Sequence, residues 1–271
     1  MTDSFRRLKL PPGEKPDLAK IDASDTSCWP GGKQKGEAAL PPLREELNHL
    51  QELFYADARR GLLVILQGMD TSGKDGVIRH VFEGVNPQGV RVSSFKKPTP
   101  EESAHDFLWR IHRVAPSKGE IVIFNRSHYE DVLIARVHRL VPQKVWSKRF
   151  DAINGFEREL VEEGVSVLKF FLHISRDEQL RRLRARIEDP TKRWKLNEAD
   201  FQERLYWDQY QEAYEAVLHR TSTSWAPWYL LPSDHKWFRN LAVSTILLEE
   251  LRAMKLRYPE PSVTTSALKL V

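Results

Sequence analysis

A single cysteine, Cys28, is all the thiol chemistry that the 271 residues carry. It excludes an intramolecular disulfide and a cysteine-built metal centre, and it points to a reducing compartment. Long apolar runs are missing as well. No stretch approaches the ~18 residues that a membrane span requires, and the opening MTDSFRRLKLPPGEKPD has no apolar signal core. A cytoplasmic protein without membrane association is the expectation. Nor does one sign of charge dominate: 42 Lys and Arg face 38 Asp and Glu, a net +4 that does not mark nucleic acid as a partner. His105, His112, His128 and His138 show no metal-ligand spacing. What remains is the composition of a folded domain, 41% apolar and 30% charged, of a length that suits one domain.

Residues 1–40 are rich in Pro, Gly and charge and have few periodic apolar positions, so they read as an N-terminal arm. Leu43, Leu47, Leu50, Leu53 and Phe54 then recur at helical spacing up to Gly61. Beyond them the chain alternates. Apolar runs at 62–66 (LLVIL), 90–95, 120–124 (EIVIF), 165–174 and WYLLP are separated by helical segments, among them a long helix at about 198–219 and a last one at about 235–256. Short β-rich runs without polar alternation predict a parallel sheet of about five strands buried on both faces, an α/β fold. The domain spans 41–257, and SVTTSALKLV belongs to a loose tail, 258–271.

The strongest motif is LQGMDTSGKDG at 66–76. Its spacing, Gly68-x-x-x-x-Gly73-Lys74, lies between a predicted buried strand and a predicted helix, the context of a phosphate-binding P-loop. The loop amides of Gly68, Thr71, Ser72 and Gly73 would donate to phosphate, and Lys74 adds a cation. Two carboxylates stand in this anion site. Asp75 occupies the place of the usual hydroxyl and also suits the first turn of a helix. Asp70 would repel phosphate unless a divalent cation lay between them, so Asp70 reads as a Mg²⁺ ligand.

A second motif, EIVIFNRSHYEDVL at 120–133, puts Asn125, Arg126 and Ser127 at the carboxyl end of a strand, where open α/β sheets bind ligands. Asn125 stands where an Asp is common, so a missing metal charge falls to Asp70, Glu130 or Asp131. Ser127 and Glu130 also have capping-box spacing, while Arg126 reads as a phosphate contact. In RDEQLRRLRARIEDPTKRWK, residues 176–195, Leu180, Leu183 and Ile187 make one stripe and Arg182 and Arg186 lie opposite, with Arg181 beside them. This basic face suits a helical lid, about 176–197, whose arginines close on phosphoryl groups. Lys96 and Lys97 are further phosphate candidates. Trp207, Trp225, Trp228 and Trp237 read as core, and Trp194 as a stacking candidate.

GMDTSGKDG, FKKPT, FNRSHYEDVL, EDPTKRWK and ERLYWDQYQEAYE, in order from about residue 43 to 250, together resemble the type-2 polyphosphate kinases, and FNRSHYED is similar to the form in their class III branch. The resemblance implies a P-loop kinase fold built like thymidylate kinase, Mg²⁺ with Mn²⁺ as a substitute, and a homo-oligomer. It implies phosphoryl transfer from inorganic polyphosphate to nucleoside mono- and diphosphates, AMP and ADP becoming ADP and ATP. Asp70, Lys74, Arg126, Arg182 and Arg186 are then the catalytic set. Gly68, Thr71, Ser72, Gly73, Lys74, Asp75, Lys96 and Lys97 bind phosphate, Asn125, Ser127, Glu130 and Asp131 the nucleotide, and Asp70 and Asp131 the metal. Motif chemistry alone also fits an ATP-dependent small-molecule kinase or a non-catalytic polyanion-binding regulator.

Overall fold

All seven residues of Gly61–Gln67 are buried, and their alternation shows why the run needs no polar positions. Leu63 and Ile65 enter one apolar layer with Phe150, Ile153, Tyr214 and Val217. Leu62, Val64 and Leu66 enter the other with Leu47, Phe54, Leu247 and Leu251. A strand covered on both faces is apolar throughout. In the computed structural model, which describes residues 2–195 and 198–261, the elements in chain order are α1 (Gly32–Asp57), β1 (Gly61–Gln67), α2 (Lys74–Val81), β2 (Val90–Ser94), α3 (Pro100–Ser103), α4 (Trp109–His112), β3 (Ile121–Asn125), α5 (Ile134–Val137), α6 (Gln143–Glu162), β4 (Val165–His173), α7 (Arg176–Glu188), α8 (Glu198–Glu203), α9 (Trp207–Thr221), β5 (Trp228–Pro232) and α10 (Lys236–Ala253). No helix among the described residues is long and apolar enough to cross a membrane.

The five strands run in the order β2-β3-β1-β4-β5, and every pair is parallel. The α/β fold with a parallel five-stranded sheet is therefore as expected. β1 lies between β3 and β4, so the loop after β1 and the turn after β3 open side by side at the carboxyl edge.

The N-terminal residues differ from a plain arm. Phe5, Leu10, Leu18, Ala23 and Cys28 are buried, Lys9 forms an antiparallel bridge to Tyr229, and the Leu10 amide donates to the Trp228 carbonyl at 2.8 Å. The first helix starts at Gly32 rather than Leu43 and carries Pro41 and Pro42 within it. Ala58, in a left-handed conformation, ends it by donating to the Phe54 carbonyl at 3.2 Å. The helix expected at about 198–219 is divided into α8, a 3₁₀ turn at Arg204–Tyr206, and α9. Residues 196–197 of the expected lid and 262–271 of the expected tail lie outside the described residues.

Candidate active site

The phosphate loop leaves β1 at Gly68 and enters α2 at Lys74. Gly68 has φ +148°, and a Cβ there would come 2.6 Å from the Leu172 carbonyl of β4. Gly73, with φ +111°, lies flat against the Arg239 guanidinium, which a side chain would displace. Only glycine meets both demands. Thr71 and Arg126 also hold positive φ, 65° and 63°, without being glycine. Such conformations cost of order 1–3 kcal/mol each and persist where surrounding contacts impose them.

A cavity of about 680 Å³ opens over the loop. Asp70, Thr71, Gly73, Lys74, Asp75, Lys96, Asn125, Arg126, Arg182 and Arg186 line it, so most of the expected residues converge. Trp194 joins them from the 3₁₀ turn after α7, and it is 78% exposed. Lys74 is buried and folds back on the loop, donating to the carbonyls of Gly68 (2.6 Å) and Met69 (3.2 Å). Burial, and after it the Arg126 charge, push its ammonium down to about 8.

Arg126 donates to Asp70 Oδ1 at 2.5 Å and stands 3.8 Å from Glu130. Burial opposes its charge, but Glu130 and Asp70 outweigh burial and raise its pKa. The Glu130 carboxyl is raised by burial, against the pull of Arg126 and Lys74. Gln67, its amide oriented by its neighbours, donates to Glu130 Oε1 at 3.2 Å and accepts from the Ser127 amide and hydroxyl at 3.1 Å. The capping box does not form: Ser127 Oγ accepts from the Tyr129 amide at 3.2 Å, and the Glu130 amide donates to the Ser127 carbonyl at 3.1 Å in the 3₁₀ turn His128–Asp131.

Three expectations need correction. Asp131, expected at the metal, lies outside the cavity, with Arg149 3.2 Å from one carboxylate oxygen and Arg110 3.7 Å from the other. Two guanidinium groups already neutralise it. Arg182 does not lie on a free basic face. It is buried, and its guanidinium donates to the carbonyls of Thr71 (2.9 Å), Ser72 (3.0 Å), Ser233 (2.6 Å) and Asp234 (2.9 Å) and to Glu178 (2.7 Å). The buried face of α7 is Gln179, Arg182 and Leu183, while Ile187 is exposed. Lys97 is exposed and does not line the cavity, whereas Lys96 does.

Four cavity residues carried no sequence signal: His80 on α2, and Lys236, Arg239 and Asn240 on α10. Arg239 is 2% exposed and donates to the Ser72 carbonyl at 3.0 Å, beside Arg182. No periodic or local motif links α10 to a loop 160-odd residues earlier.

Behind the second motif lies a buried polar cluster. Lys169 on β4 donates to Glu157 (2.5 Å), to the Thr221 carbonyl (2.6 Å) and to the Tyr129 hydroxyl (3.0 Å), and that hydroxyl donates to Glu157 at 2.6 Å. His128 stands 3.3 Å from the same carboxylate. The turn that carries Arg126 and Glu130 is thereby tied to α6 and β4.

A phosphate loop, a strand-end arginine and a carboxylate pair under a cationic helix resemble the machinery of phosphoryl transfer, and the comparison with known proteins agrees. The family model described as Polyphosphate kinase 2 (PPK2) matches residues 31–259. The chain belongs to the polyphosphate kinase 2 family. It is 52% identical over 264 residues to a Meiothermus ruber protein named AMP/ADP-polyphosphate phosphotransferase, covering 97% of this chain and 99% of that one. It is 44% identical to an ADP-polyphosphate phosphotransferase of Rhodopseudomonas palustris, covering 94% and 92%. The crystal structure of polyphosphate kinase 2 from Arthrobacter aurescens TC1 superposes with a TM-score of 0.93 at 41% identity, covering 97% of this chain and 94% of that one. As a polyphosphate kinase 2, the chain has the P-loop kinase fold of these relatives.

Proposed function

We propose that this enzyme transfers the terminal phosphoryl group of inorganic polyphosphate to nucleoside mono- and diphosphates, AMP and ADP among them. The convergence of Lys74, Arg126 and Asp70 on one cavity carries the reading, and the names of the two curated relatives support its substrates. An oxygen of the acceptor phosphate attacks the terminal phosphorus. The bond to the bridging oxygen breaks, and the chain, shortened by one phosphate, leaves as the anion. Positioning and charge neutralisation do most of the work in such a displacement.

Mg²⁺, with Mn²⁺ as a substitute, fits the residues present. Among the described residues no three His, Cys, Asp or Glu side chains form a metal cage. Mg²⁺ needs none, because it takes one or two carboxylates and fills its shell with water and phosphate oxygens. Asp70 lines the cavity with Oδ1 on Arg126, and Asn125 donates to Asp75 Oδ1 at 2.8 Å, turning that carboxylate to the same side. Asp70 and Asp75 would hold the ion, which when bound neutralises charge on the phosphate oxygens. Asn125, where an Asp is common, thus orients a carboxylate instead of supplying one.

Lys74 and the loop amides hold donor phosphate. Arg126, released from Asp70 toward the phosphates, balances charge at the transferring group, and Arg186 approaches from α7. Arg182 acts through the loop carbonyls it grips. Asn125 borders the acceptor, and Glu130, buried behind Arg126, helps to hold that guanidinium in place. The test is a panel of polyphosphate or ATP as donor against AMP or ADP as acceptor, with Mg²⁺. Product with polyphosphate and both acceptors is expected. Product with ATP alone would make it an ATP-dependent kinase, and no product with any pair would make it a polyanion-binding regulator.

A further inference from the structure

Lys169 sits in the middle of β4, flanked in sequence by Val167, Leu168, Phe170 and Phe171, all of them buried. Its partner Glu157 is equally inaccessible, and so are Tyr129 and His128, which share that carboxylate. A buried ion pair is a poor source of stability, because an apolar pair of similar volume often does as well or better. What it can supply is direction, since a fully bonded polar network admits one arrangement of its members. The Tyr129 ring is fixed too, edge-on to Trp228 at 4.9 Å, and the Trp228 indole donates to Thr221 Oγ1 at 2.9 Å. Burial, and then the Glu157 charge, hold the Tyr129 hydroxyl well above the usual phenol range, so it keeps the proton that it donates.

The direction matters because of what the turn carries. Arg126 leaves β3 with φ +63°, a left-handed backbone, and its amide donates to the Leu66 carbonyl at 3.2 Å. In a residue other than glycine such a conformation persists only where its surroundings impose it. Three ties hold the turn that follows: the Ser127 hydroxyl donates to the Gln67 amide at 3.1 Å, the Tyr129 hydroxyl to Glu157 at 2.6 Å, and Arg149 to the Asp131 carbonyl at 2.9 Å. The middle tie ends on a carboxylate that Lys169 fixes from β4 at 2.5 Å. Tyr129 stands next to Glu130, whose carboxylate lies 3.8 Å from the Arg126 guanidinium.

We propose that Tyr129, through Glu157, is a positioning residue for Arg126. The inference rests on the function proposed above, in which Arg126 balances charge at the transferring phosphoryl group. Without the hydroxyl the turn can relieve the left-handed backbone at Arg126, and the guanidinium then shifts against the phosphates. Such a shift spares the binding of either substrate, which the phosphate loop and the rest of the cavity provide, and lowers the rate of the chemical step.

Steady-state kinetics with polyphosphate and AMP, read beside near-ultraviolet circular dichroism and Tm, test this on wild type, Tyr129→Phe and the exposed control Tyr258→Phe, each also in an Arg126→Lys background. Tyr129→Phe keeps the buried ring and removes only the hydroxyl. It should lower kcat roughly tenfold or more with both KM values within about twofold, and Tyr258→Phe should match its parent. In the Arg126→Lys background Tyr129→Phe should lower kcat less than about twofold, because residues that act as a unit are not additive. A purely structural tyrosine would impose the same loss in both backgrounds. Lys169→Met/Glu157→Leu removes the acceptor without stranding a charge, and the same two results are expected of it. Wild-type kcat in a folded variant, or an equal loss in both backgrounds, overturns the positioning role while the kinase reading survives. Failure of both variants to fold would make the cluster a folding element and overturns it as well. If wild type uses ATP but not polyphosphate, the donor reading falls, and the same comparison with ATP as donor decides the role of Tyr129. A wild type that transfers nothing ends both.

Discussion

Arg182 and Arg186 stand one turn apart on α7, and alanine at the two positions should fail in different ways. Arg182 is 7% exposed and makes five hydrogen bonds, four of them to carbonyls of the phosphate loop and of the chain after β5. Its loss leaves those carbonyls without their donor and breaks a part-buried pair with Glu178. Charged hydrogen bonds are worth about 1.5–3 kcal/mol each and are not additive, and a broken buried pair costs about 3–5 kcal/mol, so ~3–5 kcal/mol is the scale for the whole site. At roughly 2–4 °C per kcal/mol for a domain of this size, Tm should fall by roughly 10 °C. Turnover should drop as well, because the loop loses its grip. Arg186 lines the cavity and is half-buried. Alanine there should move Tm by no more than about 2 °C but lower kcat on the order of 10²-fold, the loss seen when a transition-state charge contact goes. Lysine at 186 should restore only part of that rate, since an ammonium cannot make a two-pronged contact. Differential scanning calorimetry and initial rates on the same preparations decide the matter. A stable Arg182→Ala protein refutes the bracing role, and wild-type kcat in Arg186→Ala refutes the phosphate role.

Asp70→Asn keeps shape but removes charge, so transfer should fall on the order of 10²–10³-fold and raised Mg²⁺ should recover part of it; an unchanged Mg²⁺ dependence speaks against metal binding. Because Lys74 titrates at about 8 rather than 10.5, kcat/KM for polyphosphate should decline as pH rises through about 8. The same lowered pKa means that the buried charge costs stability in full below about 8 and that the cost is relieved as pH climbs toward 10.5, so Lys74→Met should abolish transfer without lowering Tm at pH 7. Lys169→Met strands the Glu157 carboxylate and should cost about 3–5 kcal/mol, with much of it regained in Lys169→Met/Glu157→Gln. Equal chemical-denaturation midpoints for the single and double variants would show the pair to be inert.

The loop and the sheet were legible because their determinants are local. GMDTSGKDG needs only its own glycines and the strand before it, and the apolar runs report burial on both faces. The α7 face was misread because helical amphipathicity assumes an apolar neighbour. Here the neighbour is a set of backbone carbonyls, and the covered face therefore carries an arginine. Asp131 was mistaken for a metal ligand because Arg110 and Arg149, which neutralise it, come from α4 and α6 and share no spacing with it. Lys236 and Arg239 were invisible for the same reason. Proline at 41 and 42 hid the start of α1, which continues through both residues.

The bridge from Lys9 to Tyr229 and the bond from Leu10 to Trp228 have a consequence for how copies can meet. β5 is the outermost strand on its side of the sheet, and an open outermost strand is a template on which another chain can pair. Lys9 and Leu10 occupy part of that template with their own backbone. They act as an internal chaperone of the sheet margin, hindering the addition of a foreign strand at the start of β5. A chain trimmed to begin after Leu10 would keep its phosphate loop intact and still be the more aggregation-prone protein.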